Sequence, residues 1–333
     1  MKQIPLSVLE LAPVDSHRNT SEALRNTTEL ARRTEALGYR RFWVAEHHNM
    51  PAIASSSPAV LIAHLAASTT TIRLGSGGVM LPNHAPLVVA EQFGTLAALH
   101  PDRIDLGIGR APGTDRRTAF ALRRTVEGLS AEDFPRELSD LMGMLAGDED
   151  LLAAVPTAEI PPQVWLLGSS GFSAQLAGAL GLPFSFAHHF SAQNTEPALE
   201  LYRRSFRPSQ WLDRPHTMIA VNVTCADTDE RAEELARPGW LSFLRLRSGA
   251  PIALPTVAEA AAYQFSPAEL DFVEERRLGQ AIGSRDTVAQ QLDALVARTD
   301  VDELMVTNQI YDLPDWIRSY ELVADIAARA PVS

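Results

Sequence analysis

Short β-type runs alternate with longer helical runs along nearly the whole chain, and this rhythm restricts the fold more than any other feature. Strands are predicted at 4–11, 41–45, 72–81, 103–108, 164–167, 183–187, 218–225 and 303–306. Helical patterns follow them at 20–37, 57–66, 86–99, 114–145 with a break near Phe134 and Pro135, 172–180, 196–206, 229–246, 288–296 and 314–328. The first is representative: Leu24, Leu30 and Leu37 lie on its apolar side, and Gly38 stops it. Strands joined by helical crossovers must run parallel. About eight βα units in 333 residues predict an α/β fold of the closed (β/α)8 TIM-barrel type rather than an open sheet. Residues 248–278 break the rhythm, carry Pro251, Pro255 and Pro267, and read as an insertion between the seventh and eighth strands. Insertions at that rim commonly form lids or substrate walls. No linker-like stretch interrupts 1–333, which therefore reads as a single domain.

Charge and residue usage exclude several function classes. The net charge of −12 opposes a nucleic-acid or membrane-surface role, since phosphate surfaces need clustered positive charge. The N-terminal residues lack a long apolar run and no segment is long enough to span a bilayer, so a cytoplasmic location is expected. Cys225 is the single cysteine, which rules out disulfide frameworks, iron–sulfur clusters and cysteine-rich zinc sites within the chain. Lys2 is the only lysine among the 29 basic residues. A Schiff base would therefore depend on the second residue, and no Gly-Lys-Ser/Thr phosphate loop exists. Any phosphate must be held by arginine, backbone amides and hydroxyls.

In a barrel of this type the chemistry lies just beyond the C-terminal ends of the strands. Those positions hold Glu46, His47, His48 and Asn49; Gly75 to Gly78; Gly109 and Arg110; Gly168 to Gly171; His188 and His189; and Thr307 to Gln309. Gly168-Ser169-Ser170-Gly171 opens a helix and reads either as an anion cradle or as an ordinary N-cap. Arg110 could supply the matching charge or pair with a neighbouring acid. Gly107-Ile108-Gly109 fails the dinucleotide fingerprint, because Pro112 precedes Gly113. Adjacent histidines project to opposite faces, so neither His47-His48 nor His188-His189 chelates one ion as a pair, and no metal is expected. Gly77-Gly78 weakens its strand unless a ligand or another backbone must come close, the rival reading being a β-bulge.

Several of these runs, in order, are similar to one family. Trp43-Val44-Ala45-Glu46-His47-His48, then Arg73 to Pro82 with His84-Ala85-Pro86 and Ala90-Glu91, then Arg103 to Arg110, Leu167 to Ser170, Ala187 to Phe190 and Ile310-Tyr311-Asp312 resemble the bacterial luciferase-like flavin-dependent monooxygenases, in their single-chain branch. The resemblance implies a luciferase-like barrel binding FMN at its C-terminal mouth, with reduced FMN and O2 oxygenating a small organic substrate. It gives proton handling to His47, with His48 beside it as a second catalytic candidate. It implies a cis peptide at Gly77-Gly78 beneath the flavin ring, and phosphate contacts from Arg110 and Ser169. Ser170 and Gly171 adjoin them, and His188 joins the cofactor set although it matches no luciferase residue. A separate flavin reductase and a homodimer are the partners expected. Deazaflavin F420 with hydride transfer, or a non-catalytic flavin-binding role, are the alternatives. Gly109 stands where the luciferases carry a cysteine, which argues against light emission. The 248–278 segment has no counterpart to the luciferase lid and leaves the substrate unread.

Overall fold

A computed structural model describes residues 4–111, 114–123, 133–148 and 150–328. In it eight parallel strands close into a ring: β1 (Leu6–Glu10), β2 (Arg41–Val44), β3 (Arg73–Met80), β4 (Ile104–Gly109), β5 (Gln163–Gly168), β6 (Phe184–Phe186), β7 (Thr217–Ala226) and β9 (Glu303–Thr307). Pairings of β6 with β7, β7 with β9, and β9 with β1 complete the closure. The expected α/β barrel is thus the fold, and the eight expected strands match those of the ring to within a few residues.

Helices cover the outside of the ring. They are α1 (Thr20–Ala36), α2 (Pro58–Ala66), α3 (Pro86–Leu99), α4 (Arg116–Arg123), α5 (Phe134–Ala146), α6 (Gly171–Leu180), α7 (Thr195–Ser205), α8 (Asp229–Arg247), α11 (Arg285–Thr299) and α12 (Leu313–Ala328). Part of the expected 114–145 helix, residues 124–132, lies outside the described residues. Local chemistry sets the ends. Asn19 caps α1 by accepting the Glu22 amide, and Gly181 closes α6 with φ 62°. Among the described residues no helix is long and apolar enough to cross a membrane.

The structure adds elements that the strand–helix rhythm does not announce. The 248–278 segment holds two helices, α9 (Val257–Ala262) and α10 (Pro267–Arg277), each opened by a capping box: Thr256 with Glu259, and Ser266 with Glu269. Pro267 sits in the first turn of α10, where a missing N–H costs nothing. A ninth strand, β8 (Gln280–Ser284), follows. It pairs with Asn222 to Ala226 of β7, beyond the stretch that β6 occupies, and so stands outside the ring. Five residues broken by Gly283 are too short for their periodicity to show a strand.

Alternation along each strand layers the interior. In β2, Phe42 and Val44 join the main core between ring and helices, while Arg41, Trp43 and Ala45 point into the barrel. Its foot is a charged layer around Arg41. Above that lies an apolar layer of Leu9, Trp43, Ala45, Trp165, Met218, Ala220 and Met305, with Trp43 and Trp165 edge to face at 5.4 Å. These two layers fill the barrel from below, so a ligand enters only at the strands' C-terminal ends.

Candidate functional site

A cavity of about 300 Å³ opens above the apolar layer, within the size range of small-molecule sites. The parity that buries Trp43 carries on past the strand ends. It brings His47, Gly77, Gly109, Ser169, His189, Asn222, Thr307 and Gln309 into the cavity wall.

One wall has the chemistry of an anion site. Arg110, at the end of β4, lies 4.3 Å over the Phe172 ring, and Phe172 belongs to the first turn of α6. Arg110 therefore stands beside the serine turn, and Ser169 and Ser170 line the same cavity. Among the described residues no carboxylate forms an ion pair with Arg110. Ser170 has the extended N-cap backbone (φ −149°, ψ 171°), yet its side chain makes no capping bond. The ordinary N-cap reading is therefore not what the turn does. The first amides of α6, with their partial positive charge, remain available to an anion. Gly171 is the first residue of α6 and does not line the cavity; a Cβ there would meet Leu201 Cδ2 at 3.1 Å.

The floor is glycine. The Gly77-Gly78 peptide is cis. Gly77 lines the cavity and Gly78 does not. A Cβ on Gly77 would lie 2.5 Å from Leu9 Cδ1, and one on Gly78 2.8 Å from the Gly107 carbonyl oxygen. Side chains are excluded because the strand backbone rests directly on the apolar layer and on β4.

The histidine pairs divide by parity. His47 lines the cavity, and its amide donates to the Ser55 carbonyl at 3.0 Å. His48, expected beside it in catalysis, is turned outward and does not reach the cavity: its Nε2 lies 2.9 Å from Glu46 Oε1. Glu46 is fully buried and also binds His84 Nε2 at 2.9 Å and the Met80 amide at 3.1 Å. Burial alone would raise its pKa, but His84, His48 and the amide outweigh it and hold the carboxyl below its ordinary range. The cluster ties the end of β2 to that of β3, which positions His47 and Gly77; of its members only Met80 lines the cavity.

The second pair requires a further correction. His188, expected in the cofactor set, points away from the cavity, is 3% exposed and hydrogen-bonds Thr195 Oγ1 through Nδ1 at 2.8 Å. Its neighbour His189 faces the cavity instead. The Nδ1–H of His189 donates to the Ala220 carbonyl at 3.0 Å, which fixes the tautomer and leaves Nε2 as an acceptor. Burial, helped by the nearby Arg276, His188 and His47 charges and opposed by the Ala220 bond, pushes its pKa down to about 4. The signal was present in the sequence: Phe184 and Phe186 are outward core residues, so His188 shares their parity and His189 does not.

Sequence reasoning read 248–278 as a lid or substrate wall but assigned none of the outer-wall residues to the site. Met50 and Ile53 reach the cavity from the loop after β2, Phe243 and Leu246 from α8, and Pro251, Ile252 and Arg276 from the 248–278 segment. That segment therefore builds one side of the site.

Comparison with known proteins places the chain in a family. The Luciferase-like monooxygenase family profile matches residues 4–303. A luciferase-like monooxygenase of Escherichia coli (strain K12) is 45% identical, over 98% of this chain and 97% of its own. The crystal structure of apo-MsnO8 superposes with a TM-score of 0.90 at 39% identity, covering 98% of this chain and 99% of that one. At lower identity the fold alone is shared. The oxygenating constituent of 3,6-diketocamphane monooxygenase from Pseudomonas putida, in complex with FMN, gives a TM-score of 0.75 at 21% identity, covering 98% of both chains. An F420-dependent secondary alcohol dehydrogenase gives 0.64 at 14%, covering 98% of this chain and 99% of that one. The chain belongs to the luciferase-like monooxygenase family.

Proposed function

We propose that this family member is an FMN-dependent monooxygenase that uses reduced FMN and O2 to oxygenate a small organic substrate at the barrel mouth. One observation carries the reading. A single cavity combines Arg110, the serine turn and the N-terminus of α6 with a side-chain-free glycine floor and an imidazole.

The residues fit the cofactor. A guanidinium without a carboxylate partner among the described residues, two serine hydroxyls and uncapped helix amides form a donor set for a phosphate. The floor at Gly77 leaves room for a flat ring against backbone. Bound reduced FMN would supply the electrons that activate O2. The chain's own part is to hold and shield. Arg110, Ser169 and Ser170 grip the phosphate. Leu9 and Trp43, packed beneath Gly77, keep water from the floor. His47 gives or takes a proton at the substrate. His189, neutral with Nδ1 committed to Ala220, offers Nε2 as an acceptor. A separate reductase supplies the reduced flavin, since the chain lacks a dinucleotide fingerprint. A homodimer is part of the same proposal.

Anaerobic titration with reduced FMN, reduced riboflavin and F420 tests the reading. The expected result is FMN bound at least about tenfold more tightly than riboflavin, roughly 1.4 kcal/mol, with the preference lost in Arg110→Met. FMN should also outcompete F420, and His47→Ala should keep FMN affinity while losing substrate-dependent oxygen uptake. Equal affinity for FMN and riboflavin would remove the phosphate wall from the argument. A preference for F420 would move the chain to hydride-transfer chemistry.

A further inference from the structure

We propose that Arg276 anchors a carboxylate on the substrate, so that the compound oxygenated is a small organic acid with an aliphatic body. The inference deepens the flavin reading and rests on it for assigning Arg110 to the phosphate.

Arg276 closes α10, lines the cavity and lies 3.4 Å over the Phe243 ring. Its NH1 donates weakly to the His189 carbonyl at 3.4 Å. Among the described residues no carboxylate pairs with it. The contrast with its neighbour is informative. Arg277 pairs with Glu233 and Glu274. The polar groups that share a second small space with Arg276 are Asn222, Thr224, Gln280 and Gln309, all neutral. Burial is the sole influence on its acidity and brings it down only to about 10, so it stays cationic at neutral pH.

A half-buried cation of this kind is a poor structural element, because desolvation costs energy that no partner returns. It is a good binding element, because a planar guanidinium receives a carboxylate in two parallel hydrogen bonds. Its surroundings indicate the rest of the ligand. Phe243, which it stacks on, and Leu246 and Ile252 are apolar and line the same cavity. Arg110 and Arg276 also reach the mouth from different elements and rest on different rings, Arg110 on Phe172 beside the serine turn and Arg276 on Phe243 of α8.

Calorimetric titration with hexanoate and its neutral isostere hexanamide is the test, on wild type, Arg276→Met, Arg276→Lys and Arg110→Met, each with and without FMN. Wild type should bind hexanoate at least about tenfold more tightly than hexanamide. Arg276→Met should abolish that preference, Arg276→Lys should retain part of it, and Arg110→Met should leave it unchanged. Equal wild-type affinities would overturn the proposal, whatever the stability of the variants. So would loss of the preference in Arg110→Met instead of Arg276→Met. FMN affinity in the same samples separates the two readings. If wild type prefers hexanoate but fails to bind reduced FMN, the flavin assignment falls and the Arg276 anchor stands. If FMN binds and hexanoate is not preferred, the reverse holds.

Discussion

At the foot of the barrel Arg41 is 1% exposed and gives its guanidinium to Asp105 at 2.7 Å and Glu303 at 2.9 Å. At the mouth Arg110 and Arg276 face a cavity with no carboxylate partner among the described residues. The foot is saturated further: Asp105 also accepts from Arg73 and Trp43, Glu303 from Ser7, and Gln163 accepts from Arg41. Both ends place arginine in a barrel of the same strands. At the foot every charge is answered within the chain, so the layer is structural. At the mouth the answer must come from a ligand, and polar groups left open there are the mark of function.

The largest expected effect tests that division directly. Arg41→Met should cost about 3–5 kcal/mol of stability, because it takes the closest cation from buried Glu303 and leaves buried Asp105 with Arg73 as its remaining cation. Arg276→Met should cost less than about 1 kcal/mol, since it strands no partner. Urea unfolding of both variants measures the difference. Similar losses would mean that Arg276, too, is structural.

A second contrast sets two buried glutamates apart. Glu303 has the Arg41 guanidinium; Glu10, 1% exposed on the outer side of β1, has neutral donors instead: the Thr27 hydroxyl at 2.9 Å, the Ala12 amide at 2.7 Å and the Leu11 amide. Burial pushes Glu10 up from 4.5 to about 7, against those hydrogen bonds. The native state then holds this proton more tightly than the unfolded chain. The stability that Glu10 contributes should be greatest below about pH 4.5, fall as pH rises to about 7, and level off above that. The decline attributable to Glu10 is on the order of 3 kcal/mol. Glu10→Gln keeps an acceptor for both donors, so unfolding curves from pH 5 to 8 should flatten by that amount. An unchanged pH profile would show that Glu10 finds a charge partner.

The same contrast explains what the sequence made legible. Period-two alternation in Arg41-Phe42-Trp43-Val44-Ala45 is a local property, and it fixes the inward face of β2 before any tertiary contact is known. The glycine floor and the serine turn were equally visible, because close approach and helix starts leave residue-type signatures. Arg276 and Arg277 are indistinguishable as sequence; only the face of α10 on which each emerges decides which meets Glu233 and which meets the cavity. The two capping boxes that open α9 and α10 were readable as Thr256-x-x-Glu259 and Ser266-x-x-Glu269, but Pro251, Pro255 and Pro267 suggested irregular chain. Strand β8 exists because β6 is only three residues long and leaves the upper edge of β7 unpaired, a tertiary cause with no local trace.

The smallest effect isolates a single hydroxyl. Thr228 and Ser170 occupy N-cap positions with the same extended backbone, φ −135°, ψ 160° and φ −149°, ψ 171°. Thr228 accepts the Arg231 amide at 3.1 Å and so caps α8; Ser170 makes no such bond and lines the cavity. Thr228→Ala should therefore cost about 1 kcal/mol of stability and leave FMN affinity alone. Ser170→Ala should leave stability within about 0.5 kcal/mol and weaken FMN binding by about three- to tenfold, the worth of one hydrogen bond. Paired urea unfolding and FMN titration read both quantities on both variants. If Ser170→Ala destabilises the fold as Thr228→Ala does and FMN binds as before, the turn is a helix cap, and the anion wall reduces to Arg110.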